Sequence, residues 1–380
     1  MFYILFILLI GVNFSPFLFP KLDIWHAQGF WAQICLFVAF SCLFFEKPLR
    51  RSMNVPLGLL HVWIAASTAF FCYTAQVNGI YDTAHFFPYF NFLCLLILYK
   101  CITDYLNRKQ IIFILNALRY VIVANLIICV LQMYNLSQFF KMINFPVPEH
   151  GLDKNHIPSI VSGFIGNGTH LSGLLASCSP LFFWKFNRED KLILVLIFLV
   201  LTQTGTMMGD PAISGFIIFI FLCIYYFRPK PVFFLVTGVV GILLLFTLKD
   251  YLPKEFFWPQ GRLKLWEYYG GLFTQYSVTG TGLGSINMMY LNTPFPKARH
   301  LHMEFFQYTF ELGIIGGILI INLVLEFFKQ ISKNRLEYTL KALVIGFLIS
   351  CCFTYPAHLW MPSVFVIFFY AAFQALNKEG

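Results

Sequence analysis

The sequence predicts an all-α polytopic membrane protein of about 12 transmembrane helices, with a large structured loop between the ninth and the tenth. Composition carries the first part: of 380 residues, 59% are hydrophobic and only 11% are charged, where soluble domains carry about a quarter charged. Segment length carries the second, because about 20 apolar residues cross the hydrocarbon core as a helix. Charge placement carries the third, since Lys and Arg recur in every second loop and such loops stay cytoplasmic.

Twelve segments qualify as spans: 2–19, 28–45, 57–77, 86–102, 111–134, 169–186, 192–208, 211–227, 232–248, 303–328, 342–356 and 359–376. Residues 1–19 lack a basic start and a small-residue cleavage site, so they read as a span and not as a signal peptide. The seventh and eighth are joined only by a turn around Gly209-Asp210-Pro211, as in a tight helical hairpin. The basic loops carry Lys47, Arg50 and Arg51; Arg108 and Lys109; Lys185, Arg188 and Lys191; Arg228 and Lys230; Lys329, Lys333, Arg335 and Lys341; and Lys378. Both termini are therefore expected inside. The net charge of +9 is a topology signal and gives no footprint for nucleic acid. The layout is helices 1–5 in 1–135, an outer loop at 136–168, helices 6–9 in 169–248, a large outer loop at 249–301, and helices 10–12 in 302–380.

All ten cysteines fall in predicted spans without metal-ligand spacing to His, and read as small apolar packing residues. Histidine is distributed otherwise. His26, His85, His150, His156, His170, His300, His302 and His358 map to the outer side, and only His61 lies near the inner one. Polar chemistry is thus expected at the outer face.

Residues 249–301 are too long for a bare connection. Within them Arg262-Leu-Lys-Leu-Trp266 opens a stretch with Leu263, Trp266, Tyr269 and Phe273 at helical spacing, an amphipathic helix for the interface. Arg262 on it is either a surface cation for lipid phosphate or a fork donor to a diphosphate. Gly280-Thr-Gly282-Leu-Gly284 is a tight turn that brings this helix back to the bundle; alone it is weak evidence for phosphate binding.

Pro294-Phe-Pro296-Lys297-Ala-Arg299-His300-Leu-His302 then leads into the tenth span. An imidazole there can take a proton from a hydroxyl near neutral pH. His300 and His302 align only on an extended segment. On the helix, Glu304, Tyr308 and Glu311 share one face and His302, Phe306 and Thr309 another, so a base at His302 needs its orienting partner from elsewhere. Glu311, inside the span, either pairs with a neighbouring helix or lines the site. Gly313, Gly316 and Gly317 read as close-packing positions. Arg119 in the fifth span is expected to snorkel to the cytoplasmic side, with an internal salt bridge or a lipid-diphosphate contact as alternatives.

With these residues in view, the chain resembles the O-antigen ligase/polymerase family of bacterial membrane glycosyltransferases. The matching pattern is Arg262-Leu-Lys-Leu-Trp266, Gly280-Thr-Gly282-Leu-Gly284, His302, and Glu311-Leu-Gly313. Weaker matches are Gly163-Phe-Ile-Gly166-Asn167-Gly-Thr-His170 and Tyr355-Pro-Ala-His358, so the likeness covers about residues 160–376. The family's Asn after the motif His is Met303 here, and its second diphosphate-binding arginine aligns with Met207.

The resemblance implies an inner-membrane enzyme with periplasmic loops at 136–168 and 249–301. It would move a glycan en bloc from undecaprenyl diphosphate to an acceptor glycan or lipid A core, without a metal or other cofactor. It makes His302 the general base and Arg262 the diphosphate ligand. Arg299, Lys297, His300, Glu304, Trp266, Asn167, His170 and His358 are substrate-binding candidates. Ligase and polymerase are not separated by these residues, and a polytopic transporter or lipid flippase is the alternative from another class.

Overall fold

The computed structural model describes residues 1–19, 22, 24–45, 55–77, 86–134, 161–165, 167–204, 213–227, 260–275, 277–286, 294 and 300–379. Among them every regular element is helical. In chain order these are α1 (Phe2–Leu18), α2 (Ile24–Phe45), α3 (Val55–Val77), α4 (Phe87–Tyr105), α5 (Arg108–Met133), α6 (Gly168–Cys178), α7 (Pro180–Phe183), α8 (Arg188–Leu201), α9 (Ile213–Phe227), α10 (Gln260–Phe273), α11 (Glu304–Lys329), α12 (Arg335–Ser350) and α13 (Trp360–Glu379). Among the described residues five helices are long and apolar enough to cross a membrane: Val55–Tyr73, Phe87–Tyr105, Arg108–Met133, Glu304–Lys329 and Trp360–Asn377.

The expected 2–19, 28–45, 57–77, 86–102 and 111–134 return as α1 to α5 within a few residues. Three other segments differ, each for a local reason. The single span at 169–186 is two helices, because Pro180 has no N–H and its ring crowds the carbonyl four residues back; the Ala176 carbonyl instead accepts from Ser179 N at 3.2 Å. The segment at 192–208 starts earlier, at Arg188, through a capping box: Asp190 N donates to Asn187 Oδ1 at 2.8 Å and Asn187 N to Asp190 Oδ2 at 3.3 Å. The segment at 342–356 is α12, which begins at Arg335 and ends at Ser350. Asn334 caps it by accepting from Leu336 N and Glu337 N, both at 3.1 Å.

The charges that set the sequence boundary of α12 are built into the helix with partners. Arg335 donates to the Phe183 carbonyl at 2.8 Å, and Lys341 donates to the Phe328 carbonyl at 2.9 Å near the C-terminus of α11. A cation belongs there, where unpaired carbonyls gather. The expected span at 232–248 and the turn at Gly209-Asp210-Pro211 lie outside the described residues.

One apolar core joins α1, α4, α5, α6, α12 and α13 around fully buried Leu8, Leu98, Leu115, Phe182, Phe365 and Phe373. Two smaller clusters attach the rest. Leu265, Tyr269, Ile286, Leu301 and Phe310 bind α10 to α11; Leu60, Ile64, Leu283 and Leu312 bind α11 to α3. The amphipathic helix is therefore present, but its buried stripe is rotated from the expected one. Leu265 lies inside while Leu263 is 46% exposed, because Phe310 and Leu301 receive the face that carries Leu265 and Tyr269.

Arg119 does not end free at a surface. Its guanidinium pairs with the fully buried Asp190 carboxylate and lies 5.4 Å over the Phe182 ring. The side chain thus spans from α5 to the capping box of α8, and the internal salt bridge replaces the expected snorkelling.

Candidate functional site

The polar residues singled out above meet at one end of the bundle, where α6 and α11 begin, α12 ends and α13 begins. Residues 300–303, just before α11, are not helical. Leu301 points into the apolar cluster under α10. Its carbonyl accepts from Trp266 Nε1 at 2.7 Å, and its N–H donates to Gln307 Oε1 at 3.1 Å. With Leu301 held from both sides, His300 and His302 are both turned to Tyr355.

The Tyr355 ring is the hub. His300 stacks on it at 4.2 Å between centroids, His170 meets it edge-on at 4.3 Å, and His302 meets it edge-on at 5.1 Å. His302 carries a left-handed backbone, φ 55°, which a residue with a Cβ adopts at a strain of order 1–3 kcal/mol. The two imidazoles are two residues apart, yet both reach the site because helix α11 starts only at Glu304.

Arg262 completes the cluster. Half-buried on α10, it donates from Nη1 to the Phe353 carbonyl at 3.1 Å. Burial lowers its pKa below the usual arginine value, and the neighbouring Tyr355 opposes that. Burial, and then the positive charge of Arg262, lower the His302 imidazole to about 4. Burial, followed by His358, His302 and His170, pushes His300 well below its ordinary value. The imidazoles of His300 and His302 are therefore uncharged near pH 7.

The carboxylates nearby have other partners. Glu304 accepts from Ala357 N at 2.7 Å and lies 2.9 Å from His358 Nδ1. Gln307 Nε2 stands 3.0 Å from His358 Nε2, 3.2 Å from Glu311 Oε1 and 3.5 Å from His300 Nδ1. Because the Gln307 oxygen already accepts from Leu301, its amide hydrogens face these groups. His358 Nε2 is then the acceptor, and its proton sits on Nδ1 toward Glu304.

The glycine turn resolves the role of Glu311. Gly280, Gly282 and Gly284 all have positive φ, as does Gly313 in α11. At Gly313 the helix is broken (φ 70°, ψ −177°), and the turn fills the gap. Thr281 N donates to the Phe310 carbonyl at 3.3 Å, Gly282 N to the Glu311 carbonyl at 2.8 Å, and Ile314 N donates back to the Ser277 carbonyl at 2.8 Å. Gly284 N donates to Glu311 Oε2 at 2.9 Å. The group held by the Gly-x-Gly-x-Gly turn is thus the protein's own Glu311 carboxyl. A Cβ on Gly280 would come within 2.3 Å of the Glu311 carbonyl oxygen, and one on Gly313 within 2.1 Å of the Val278 oxygen. Gly313 is a break as well as a packing position.

Of the sequence-derived candidates, His302, Arg262, His300, His170, Glu304 and His358 converge on this site. Trp266 acts on it through Leu301. Asn167 caps α6, accepting from His170 N at 3.2 Å. Arg299 and Lys297 lie outside the described residues. Two participants were not picked out. Gln307 carried a signal, three residues after Glu304 and four before Glu311 on one helix face. Tyr355 stood in the segment Tyr355-Pro-Ala-His358, where only the histidine drew notice. Among the described residues no three His, Cys, Asp or Glu side chains are grouped as metal ligands.

A scan of protein-family models finds no match to this chain, and a search of curated proteins finds none either.

Proposed function

We propose that the chain is a membrane glycosyltransferase that moves a glycan en bloc from undecaprenyl diphosphate to an acceptor hydroxyl. The reaction would take place at the periplasmic face of a bacterial inner membrane, ligase-like in using a lipid A core as acceptor. The observation that carries it is Arg262 beside an uncharged His302 at Tyr355, with Glu304 and Glu311 committed to other partners. Such an arrangement offers a base to an alcohol and a cation to an anionic leaving group.

The chemistry balances on these two residues. The His302 imidazole accepts the proton of the acceptor hydroxyl. The oxygen attacks the first carbon of the glycan, the bond from that carbon to the diphosphate breaks, and its electron pair leaves on the diphosphate. Arg262 compensates the charge that develops there. The left-handed backbone at His302 and the double hold on Leu301 keep the imidazole in place before substrate arrives.

One observation favours transport instead: α11 is broken at Gly313, as helices around transporter sites often are. Here, however, the turn's own backbone fills the break, so it opens no binding cavity. The test is release of undecaprenyl diphosphate from a lipid-linked glycan by the protein in nanodiscs. One sample receives lipid A core, another a second lipid-linked glycan, and His302→Ala serves as control. Release that needs His302 and lipid A core supports the ligase, whereas release with the second glycan alone makes it a polymerase. Absence of release with either acceptor overturns the transferase.

A further inference from the structure

The imidazole of His170 has no role in the steps above. It is only 5% exposed, and among the described residues its Nδ1 has no hydrogen-bond partner. A buried polar atom left unpaired is destabilising, and each such atom in a folded protein calls for an explanation, a catalytic role or a bound ion among them. His170 is also the third residue of the 11-residue helix α6, whose N-terminal end favours negative charge.

Its surroundings define the ligand. Arg262 and His302 are its electrostatic neighbours, His300 lies across the same Tyr355 ring, and that ring packs against it. The other helices packed on α6 meet it through small residues, as where Gly173 faces Ser350 and Gly215 faces Ser172. Cation-capable groups therefore surround His170, while Glu304 and Glu311 are paired elsewhere.

Charge balance then selects it. A diphosphate joined to a lipid and a glycan carries about two negative charges, and the released lipid diphosphate gains a further ionisable oxygen. Among the described residues of the site one guanidinium, that of Arg262, answers one of these. His302 has to stay neutral to act as a base, and His300 Nδ1 already faces the Gln307 amide.

We infer that His170 is the second ligand of the diphosphate, taking one phosphate while Arg262 takes the other. The inference rests on the proposed transferase reading for the identity of the diphosphate, but concerns binding and not transfer. His170 would bind as imidazolium, so that the entering anion brings a proton with it. The recognised chemistry is the diphosphate group and not the lipid tail.

The experiment measures binding to the full chain in nanodiscs at pH 6 and pH 8, with farnesyl diphosphate, farnesyl monophosphate and inorganic pyrophosphate as probes. His170→Asn is expected to weaken both diphosphate probes by about 10-fold or more at pH 6, less at pH 8, and to leave the monophosphate unchanged. The ligand's own titration is common to both proteins, so the difference belongs to His170. Calorimetry of both proteins in two buffers of different ionisation enthalpy reads the same difference, as proton uptake on binding that His170→Asn removes.

An equal loss for all probes at both pH values, unchanged binding, or no proton uptake overturns the role of His170. Glycan transfer run in parallel separates the two claims. Transfer with diphosphate binding that takes up no proton removes His170 alone. Proton-linked diphosphate binding without transfer removes the transferase alone.

Discussion

Two half-buried arginines, Arg119 and Arg262, stand toward opposite ends of the bundle and differ in what answers their charge. Arg119 has found a carboxylate: Asp190 is fully buried against it, inside a capping box, and the guanidinium lies over the Phe182 ring. Arg262 has a backbone carbonyl, a tyrosine ring and imidazoles that its own charge helps to keep neutral. Helix α12, about 24 Å long at 1.5 Å per residue, runs between the two regions. The first arginine is a closed contact within the fold, and the second keeps charge available for a ligand. Burial and residue type alone do not tell them apart; the partner does.

The comparison can be broken most severely at the open end. His302→Ala is expected to reduce transfer by about 10²–10⁴-fold, the usual contribution of a general base, with little change in thermal stability. Measurement of undecaprenyl diphosphate release alongside a melting curve checks both halves. Arg262→Lys keeps the charge but loses the planar fork, and a loss of about 10²-fold in turnover is expected.

At the closed end the effects should reverse. Asp190→Ala leaves Arg119 without its carboxylate, and breaking a buried pair costs about 3–5 kcal/mol. Activity per folded molecule should stay near the parent value. If instead Asp190→Ala lowered turnover without lowering stability, the contrast between the two arginines would fail.

The turn between the two smaller clusters gives an intermediate case. Gly280→Ala must place a Cβ at φ 73° and 2.3 Å from the Glu311 carbonyl oxygen. Left-handed backbone alone costs an alanine about 1–2 kcal/mol, so both stability and activity should fall. Thr281→Ser, in the same turn, should change neither greatly.

The mildest test is the pH profile. With His302 lowered to about 4, the base stays unprotonated through neutral pH and is lost only as pH falls toward 4. The acid limb of kcat/KM is therefore expected below about pH 5. A limb near the ordinary histidine value of about 6.5 would mean that Arg262 and burial do not act on the base.

Much of the helical architecture was legible because apolar length is a strong signal, and α1 to α5, α11 and α13 follow it closely. Where charges sit inside a helix, as Arg335 and Lys341 do, hydropathy misplaced the boundary; their partners are carbonyls distant in sequence. The same holds for Arg119, whose partner lies 71 residues away.

At the site, residue types pointed to His302, Arg262 and His170, but not to what each touches. The two-residue spacing of His300 and His302 left open whether both could take part, and the start of α11 at Glu304 answers it. The glycine pattern revealed a turn without revealing that it holds the Glu311 side chain. Tyr355 could not be recognised as the hub, since ring contacts from three histidines in two separate segments leave no local periodicity.

The join between the glycine turn and α11 has a consequence for how related sequences should drift. The turn reads the broken helix through backbone groups at Phe310, Glu311 and Ile314, so these bonds leave the identity of Thr281 loosely constrained, whereas Leu283 is held by its packing against Leu60, Ile64 and Leu312. Chain length is constrained too. One residue inserted between Gln307 and Glu311 rotates everything beyond it by about 100° and separates Glu304 and Gln307 from Glu311. Relatives of this chain should therefore vary at Thr281 but carry no insertion or deletion within that stretch, and a survey of their alignments for gaps checks the constraint.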